Sequence, residues 1–469
     1  ESDQKLFISN LNLQAAQKAM SSSAYKSAYD YSRKGILLLD VDNVQFWNEH
    51  YDLIYSLHLI AAESAYLTFE QKEMEQLLIV TNVHAKNVID KIKIYEIKIQ
   101  SAIMQHNFVQ AVDLCLEILN ILGFKYSLRP SKLQILYYYL KTKFIFNKRS
   151  ESYFLNLPIN ENEEIRAAFR IMLRMGSCSY HVNSKIAAMN AFKRLFCILK
   201  NGNSPESIQG FSAIGLIFCG AFNDYEIGYR FSQISLKLNE KIGQKNINHF
   251  TLFVYYTFII HWKEKIHKSL DGMLNGYKLA LDCGDFEYAS IFLMVRSYSS
   301  LYSGYKIEIL LKDIKSYLKT QNKLKQRSAY LITKQFYIIC ECLAYENNNI
   351  KNIISELENN KTKDEFKKTN NNTGLGALYI CKQFLFFLLC DYKKSIEYAK
   401  NVKKYQDGIR STFHIVITNF LESLSKCAYY NEISNIFEKL KILNSIKNNQ
   451  KKLKRWSEHS PSNNLHRWY

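Results

Sequence analysis

Asn107-Phe108-Val109-Gln110-Ala111 is the stretch of this sequence that decides its fold. From its aromatic residue onward, apolar side chains recur at intervals of three and four: Phe108, Ala111, Val112, Cys115, Leu116, Leu119 and Leu122. This spacing places them along one face of an α-helix for about four turns. The polar residue before the aromatic can cap that helix, and the small residue after it lets a second helix approach closely. The stretch therefore predicts the start of a helix within a packed helical hairpin.

The same phrase, an aromatic residue, two variable residues and a small residue, recurs in four other places. The copies are Tyr25 with Ala28, Tyr225 with Gly228, Phe286 with Ala289, and Tyr392 with Ser395. The second helix of a tetratricopeptide repeat begins in this way, but those repeats have a period of about 34 residues, and these copies lie at uneven intervals. An array tolerates missing copies because each hairpin has to match only its neighbours. We predict an all-α fold, a degenerate tetratricopeptide-like helical-hairpin solenoid.

Polar interruptions divide the predicted array into sub-modules. We place them at residues 1–158, 159–369 and 370–469, the last truncated, as parts of one continuous solenoid. The strongest interruption is 359–373, where Asn, Lys and Thr replace apolar residues. That composition predicts a long exposed hairpin loop or a flexible joint.

The basic composition is weak evidence for an anionic partner. The 62 Lys and Arg residues, against 43 Asp and Glu, give a formal net charge of +19. Lys is accompanied by abundant Asn, Ile and Tyr along the whole chain, which indicates a compositional drift rather than a selected patch. The densest basic run is the candidate anion-binding site: Lys447, Lys451, Lys452, Lys454 and Arg455. Nucleic acid is therefore an alternative partner rather than the leading one.

Cysteines and apolar runs favour a cytoplasmic protein. The ten cysteines are scattered singly, and Cys115, Cys197 and Cys219 fall on apolar helical positions, as expected of buried reduced thiols. The longest apolar runs, 211–222 and 251–262, are shorter than the roughly 20 residues that span a bilayer. The chain begins at Glu1 without Met, and we expect it to be a piece of a longer protein.

Catalytic patterns are missing from the sequence. A phosphate-binding loop needs Gly-x-x-x-x-Gly-Lys followed by Ser or Thr, and a nucleophile elbow needs Gly-x-Ser-x-Gly; neither occurs. His261 and His267 are six residues apart, which places them on different faces of a helix and disfavours a metal site. The carboxylates Asp224, Asp285 and Asp391 precede helices, where capping explains them. We predict no catalytic residue, no cofactor and no bound metal.

Longer stretches of the sequence carry a resemblance to a known family. They are 88–96, 201–215, 224–229, His261-Trp262-Lys263, 276–277 with 284–289, and Ser460-Pro461-Ser462-Asn463-Asn464-Leu465-His466. Together they are similar to the helical region of large bacterial multidomain signalling ATPases. In that family the resemblance implies an order of parts: often a serine/threonine kinase, then an AAA-type ATPase, the helical region, and commonly a GAF sensor and a histidine kinase or other output.

The resemblance implies a role for the chain but no functional residue. The matching stretches are structural phrases, so the chain would be a noncatalytic scaffold and regulatory arm that couples an upstream ATPase to a downstream sensor or output domain. Its partners would be those domains, or a peptide on a concave face. The alternative is a stand-alone basic helical-repeat protein that binds nucleic acid or an acidic protein.

Overall fold

The fold is all-α, as the sequence predicts. The computed structural model describes residues 2–105, 107–127, 129–242, 245–344 and 350–468. Within this described part the regular elements are α-helices and short 3₁₀-helices, without a β-strand. Among these residues, no helix combines the length and the apolar content of a membrane-spanning segment. The all-α helical-hairpin class is therefore confirmed.

The helices follow one another with short connections. The first eleven are α1 (Ser2–Ser21), α2 (Tyr25–Leu37), α3 (Val44–Glu49), α4 (Tyr51–Leu67), α5 (Gln71–His84), α6 (Val88–Met104), α7 (Phe108–Ile121), α8 (Lys132–Asn147), α9 (Glu151–Leu155), α10 (Glu163–Val182) and α11 (Ser184–Asn201). The next seven are α12 (Ile208–Ala221), α13 (Tyr225–Ile242), α14 (Lys245–Phe258), α15 (Ser269–Asp282), α16 (Phe286–Tyr302), α17 (Ile307–Lys323) and α18 (Arg327–Ala344). The last seven are α19 (Ile350–Glu358), α20 (Asn360–Lys368), α21 (Asn372–Leu388), α22 (Tyr392–Lys404), α23 (His414–Tyr429), α24 (Ile436–His459) and α25 (Pro461–Trp468).

The chain divides into two compact units. The first consists of Glu1–Thr142 and Pro158–Gly202. In it, consecutive helices pack as hairpins, namely α1 with α2, α4 with α5, α6 with α7, and α10 with α11. Its core includes Trp47, which is fully buried and stacks on His84 with ring centroids 4.2 Å apart.

The second unit consists of Lys143–Leu157 and Asn203–Tyr469. Here α12 packs with α13, α15 with α16, α17 with α18, α21 with α22, and α23 with α24. Its largest core cluster includes Phe292, Phe336, Leu378 and Val416. Within this unit the boundary predicted at Asn370 falls between α20 and α21. The three predicted sub-modules are consecutive segments of the sequence rather than compact units, and their boundaries stay a prediction.

Each copy of the repeated phrase begins a helix. The aromatic residues Tyr25, Phe108, Tyr225, Phe286 and Tyr392 are the first residues of α2, α7, α13, α16 and α22. Asn107, Asp285 and Asp391 cap their helices, because each side chain accepts a hydrogen bond from a backbone N–H in the first turn. The polar residue of the phrase therefore serves as a cap in these three copies.

The two other positions of the phrase differ in burial. The small residues Ala28, Ala111, Gly228, Ala289 and Ser395 are all buried. The aromatic residues are not equivalent, since Tyr225 is 1% exposed whereas Phe286 is 47% exposed. The small residue lies at the contact between helices, and the aromatic residue before it is a core side chain only where a further element covers it.

The polar stretch 359–373 is a helix over most of its length, so the predicted loop is wrong. Residues Asn360–Lys368 form α20, which Asn359 caps by accepting a hydrogen bond from the Lys361 N–H. Phe366 is fully buried against the start of α21, where a Cβ added to Gly374 would lie 2.5 Å from its ring. Phe366, together with the ion pair between Glu365 and Arg327 of α18, docks a helix whose other faces are polar.

Candidate interaction surface

The five basic candidate residues all lie on α24. Asn435 caps this helix by accepting hydrogen bonds from the backbone N–H groups of Phe437 and Glu438. With 24 residues, the helix is about 36 Å long. Its inner face carries the buried residues Ile442, Asn449, Leu453, Trp456 and Ser457. The helix therefore presents one face to its own unit and the opposite face to the outside.

The inner face of α24 is held by specific contacts. Trp456 Nε1 donates a 2.9 Å hydrogen bond to the hydroxyl of Tyr225, the first residue of α13. Lys403 and Lys426 of the second unit both hydrogen-bond Glu422 Oε1, at 2.7 Å and 2.5 Å. Burial raises the pKa of Glu422, but the hydrogen bonds to the two lysines outweigh burial and leave that pKa below its usual value. Asn449 donates to Glu422 Oε2 at 3.3 Å, which ties α24 to this network.

The N-terminal half of the outer face is apolar. Ile436, Phe437, Leu440 and Leu443 are 61%, 73%, 51% and 46% exposed. Their spacing of three and four residues places them on the same side of the helix, opposite Ile442. We call these four residues the apolar patch. It is a contiguous apolar surface of the kind that a protein usually covers or uses for binding.

The C-terminal half of the outer face is basic. Lys447, Lys451 and Lys454 follow Leu443 at intervals of four, four and three residues and continue the same face. Together with Lys452 and Arg455 they form what we call the basic block, and all five are exposed. Two of them also make internal contacts, since Arg455 donates a 2.8 Å hydrogen bond to the Asn223 carbonyl and Lys454 Nζ lies 5.5 Å from the Trp468 ring. Anion binding by the block stays a prediction.

Sequence reasoning found the basic block and missed the apolar patch. The periodicity of Ile436, Leu440 and Leu443 is visible in the sequence. A helical apolar stripe normally marks the buried face, so exposure at these positions requires the tertiary structure. The buried face of α24 uses other positions, among them Asn449 and Ser457, which do not read as core residues.

The first unit contains a polar cavity that we do not regard as a binding site. Its volume is about 460 Å³, and it is lined by residues 48–53, Lys86 and Asn87. The Tyr51 hydroxyl donates a 2.6 Å hydrogen bond to Asp90 Oδ2, and the Lys86 backbone N–H donates to the same oxygen at 3.2 Å. These groups bind one another at the start of α6, so they serve the packing of that helix.

Burial keeps three core thiols and the His261 imidazole neutral near pH 7. Cys115, Cys197 and Cys219 are buried, and burial raises the pKa of the Cys197 thiol to about 11. Burial likewise lowers the pKa of His261 to about 3. Among the described residues, no group of three or more His, Cys, Asp and Glu side chains is arranged to hold a metal ion.

A sequence comparison with known proteins finds a partial match to a histidine kinase. No protein-family model matches the chain. Over 323 residues the chain is 24% identical to hybrid signal transduction histidine kinase G of Dictyostelium discoideum, a match that covers 63% of this chain and 9% of that protein. The chain thus spans less than a tenth of the length of this relative. The bacterial parent that the sequence resemblance implies stays a prediction.

Solved structures add little to the fold assignment. The tetratricopeptide domain of P58(IPK) is 12% identical with a TM-score of 0.22, covering 91% of this chain and 99% of that one. A circular tandem repeat protein is 11% identical with a TM-score of 0.15, covering 100% and 94%. Scores this low carry no argument, so the fold class rests on the helices and hairpins described above.

Proposed function

We propose that the chain is a noncatalytic helical-repeat segment of a multidomain signal-transduction protein, in which it connects and binds other modules. The observation that supports this most is the similarity to a signalling histidine kinase in which the matched region is 9% of the length. A segment of helical hairpins that makes up so small a part of a protein is suited to linking other domains and to recognising them. The activity of the whole protein would then belong to neighbouring domains.

The mechanism of such a segment is binding and transmission of movement. Hairpins packed through buried small residues move together, because shifting one helix past another breaks close contacts along the whole crossing. We propose that an upstream ATPase rearranges and that the helical segment passes the change to a downstream sensor or output domain. The segment would act in the cytoplasm without a cofactor.

The native gene product tests this proposal. An antibody raised against the chain would detect the native protein in cells of the source organism, and mass spectrometry of the precipitate would give its domains. We expect a product several times larger than the 55.0 kDa of this chain, with ATPase or kinase sequences in it. A native product close to 55.0 kDa, without either kind of domain, contradicts the proposal.

A second candidate function is supported by the basic block. A net charge of +19 and five exposed cations on one helix would also suit nucleic acid. If the chain binds DNA or RNA through these residues, the affinity should fall steeply as salt rises, because phosphate contacts release counterions. Weak binding without a salt dependence contradicts this candidate.

A further inference from the structure

We propose that the outer face of α24 binds an amphipathic helical segment that is apolar at one end and acidic at the other. This inference names a partner class for the interaction role proposed above and rests on that role. It depends on the apolar patch, on the basic block, and on their order along one helix face.

The apolar patch gives the first end of the partner. Ile436, Phe437, Leu440 and Leu443 span two helical turns, about 10 Å along the axis, and are all roughly half exposed or more. Helices bind such a surface by laying apolar side chains at intervals of three and four residues across it. The partner therefore carries two or three large apolar residues at that spacing.

The basic block gives the second end. Helix α24 contains seven Lys and Arg residues against Glu438 and Glu458, and Lys447, Lys451 and Lys454 lie on the same face as the patch. An acidic segment would place carboxylates opposite them, and complementary charge would raise both the rate and the specificity of association. The two surfaces together run from Ile436 to Arg455, about 30 Å, which matches a helix of about 20 residues.

The lengthwise order of the two surfaces distinguishes this partner from others. A helix that lies on an anionic membrane has an apolar stripe along its whole length with basic residues beside it. On α24, Lys439 and Lys441 flank the apolar patch, but the apolar stripe ends at Leu443 and cations continue the same face. Nucleic acid would use the basic block and leave the apolar patch uncovered. In a symmetric contact between two copies, a parallel pair of α24 helices would bring the two basic blocks together, and a fully overlapping antiparallel pair would place each basic block on the other copy's apolar patch.

Two synthetic peptides of identical composition test the inference. Both have about 20 residues, the length that spans the surface. In the segregated peptide, Leu and Phe occupy one half and Glu the other, at helical spacing; in the interleaved peptide, an apolar stripe runs the full length with Glu beside it. Fluorescence anisotropy with the whole chain should show that the segregated peptide binds at least about tenfold more tightly.

Variants of α24 locate the binding. Leu440→Asp should lower the affinity for the segregated peptide about tenfold or more. Lys447→Glu combined with Lys451→Glu should lower it by a similar factor. The matched controls are Leu133→Asp on α8 and Lys361→Glu combined with Lys367→Glu on α20, which change exposed residues elsewhere. The controls should bind as the unaltered chain does. Circular dichroism and urea unfolding report whether each variant is folded.

Several results would overturn the inference. They are equal affinity for the two peptides, no binding of the segregated peptide up to about 100 μM, and equal losses in the control variants. Tighter binding of phosphatidylserine vesicles or of a single-stranded DNA oligonucleotide through the same residues would do so too, as would a dimer of the chain that Leu440→Asp dissociates. Selective peptide binding by a native product of 55.0 kDa would refute only the signalling role. A multidomain native kinase in which α24 does not bind the segregated peptide would refute only the proposed binding surface.

Discussion

The crossing of α12 with α13 is a closely packed contact between two helices, whereas the outer face of α24 is an exposed helix surface. At the crossing, a Cβ added to Gly228 would lie 2.4 Å from Cys219 Sγ and 2.8 Å from the Gly215 carbonyl oxygen. On α24, by contrast, four large apolar side chains and five cations are exposed. Side chains at the first place determine whether the unit folds. Side chains at the second can change with little effect on folding, which makes that face available for binding.

The largest effect should come from filling the crossing. Gly228→Leu adds a side chain where the neighbouring backbone is in contact, so we expect a loss of about 4 kcal/mol or more, or failure to fold. Glu240→Leu, on an exposed position of the same helix, is the control and should cost less than about 1 kcal/mol. Urea unfolding followed by circular dichroism measures both. Similar midpoints for the two variants would remove the contrast on which the comparison depends.

The aromatic residues of the repeated phrase extend the comparison. Tyr225 stacks on Trp262 with ring centroids 4.4 Å apart and accepts the Trp456 hydrogen bond, whereas Phe286 is about half exposed. We expect Tyr225→Ala to cost about 3 kcal/mol and Phe286→Ala less than about 1 kcal/mol. Tyr225→Phe should cost about 1 kcal/mol, because it leaves the indole N–H of Trp456 without its acceptor. Equal losses from the two alanine variants in urea unfolding would show that the contribution of the aromatic residue to stability depends on its place in the repeated phrase rather than on its burial.

Acid should destabilise the buried part of the second unit. Burial lowers the pKa values of His261 and His414 to about 3, whereas an unfolded histidine titrates near 6.5. The unfolded chain therefore binds more protons below pH 6.5, and stability present above that pH is lost as the pH falls toward 3. At pH 5 the loss should be about 2 kcal/mol for each histidine.

His414→Gln separates the contribution of His414 from the rest of the loss of stability in acid. His414 stacks on Phe336, with ring centroids 5.5 Å apart, and shares a 2.8 Å hydrogen bond with Tyr302. Between pH 7.5 and pH 5 the variant should lose about 2 kcal/mol less than the unaltered chain, as measured by urea unfolding at each pH. An identical loss in both proteins would mean that His414 does not carry the acid sensitivity.

The smallest effect on stability should come from α24. Leu440 is about half exposed, so Leu440→Asp should change the free energy of unfolding by less than about 1 kcal/mol, most of it from helix propensity. Urea unfolding checks this value directly. A loss as large as that of Tyr225→Ala would mean that the patch packs within the unit and is not open to a partner.

The sequence predicts the starts of these helices better than their surroundings. A polar cap, an aromatic and a small residue are local signals, and the structure begins a helix at Phe108, Phe286 and Tyr392. The loop predicted at 359–373 is wrong because a Lys-rich and Asn-rich segment can dock as a helix through a few contacts, here Phe366 and the ion pair of Glu365 with Arg327. Composition averages over such single contacts, whereas folding depends on them.

Burial is what the sequence could not supply at the candidate surface. The basic block is visible as a charge run, but nothing local separates the exposed Leu440 from the buried Leu453 on the same helix. Their difference arises because α24 packs on α23 and α25 through one face. Which stripe is inside is decided by these two neighbouring helices and by contacts with residues that are distant in sequence, such as Tyr225.

The most direct test combines binding and folding in one variant. For Leu440→Asp, we would measure the affinity for the segregated peptide by anisotropy and the urea midpoint of the same preparation. We predict that the affinity falls about tenfold or more while the midpoint stays close to that of the unaltered chain. An unchanged affinity, or a loss of binding accompanied by early unfolding, would contradict the assignment of the outer face of α24 as a binding surface.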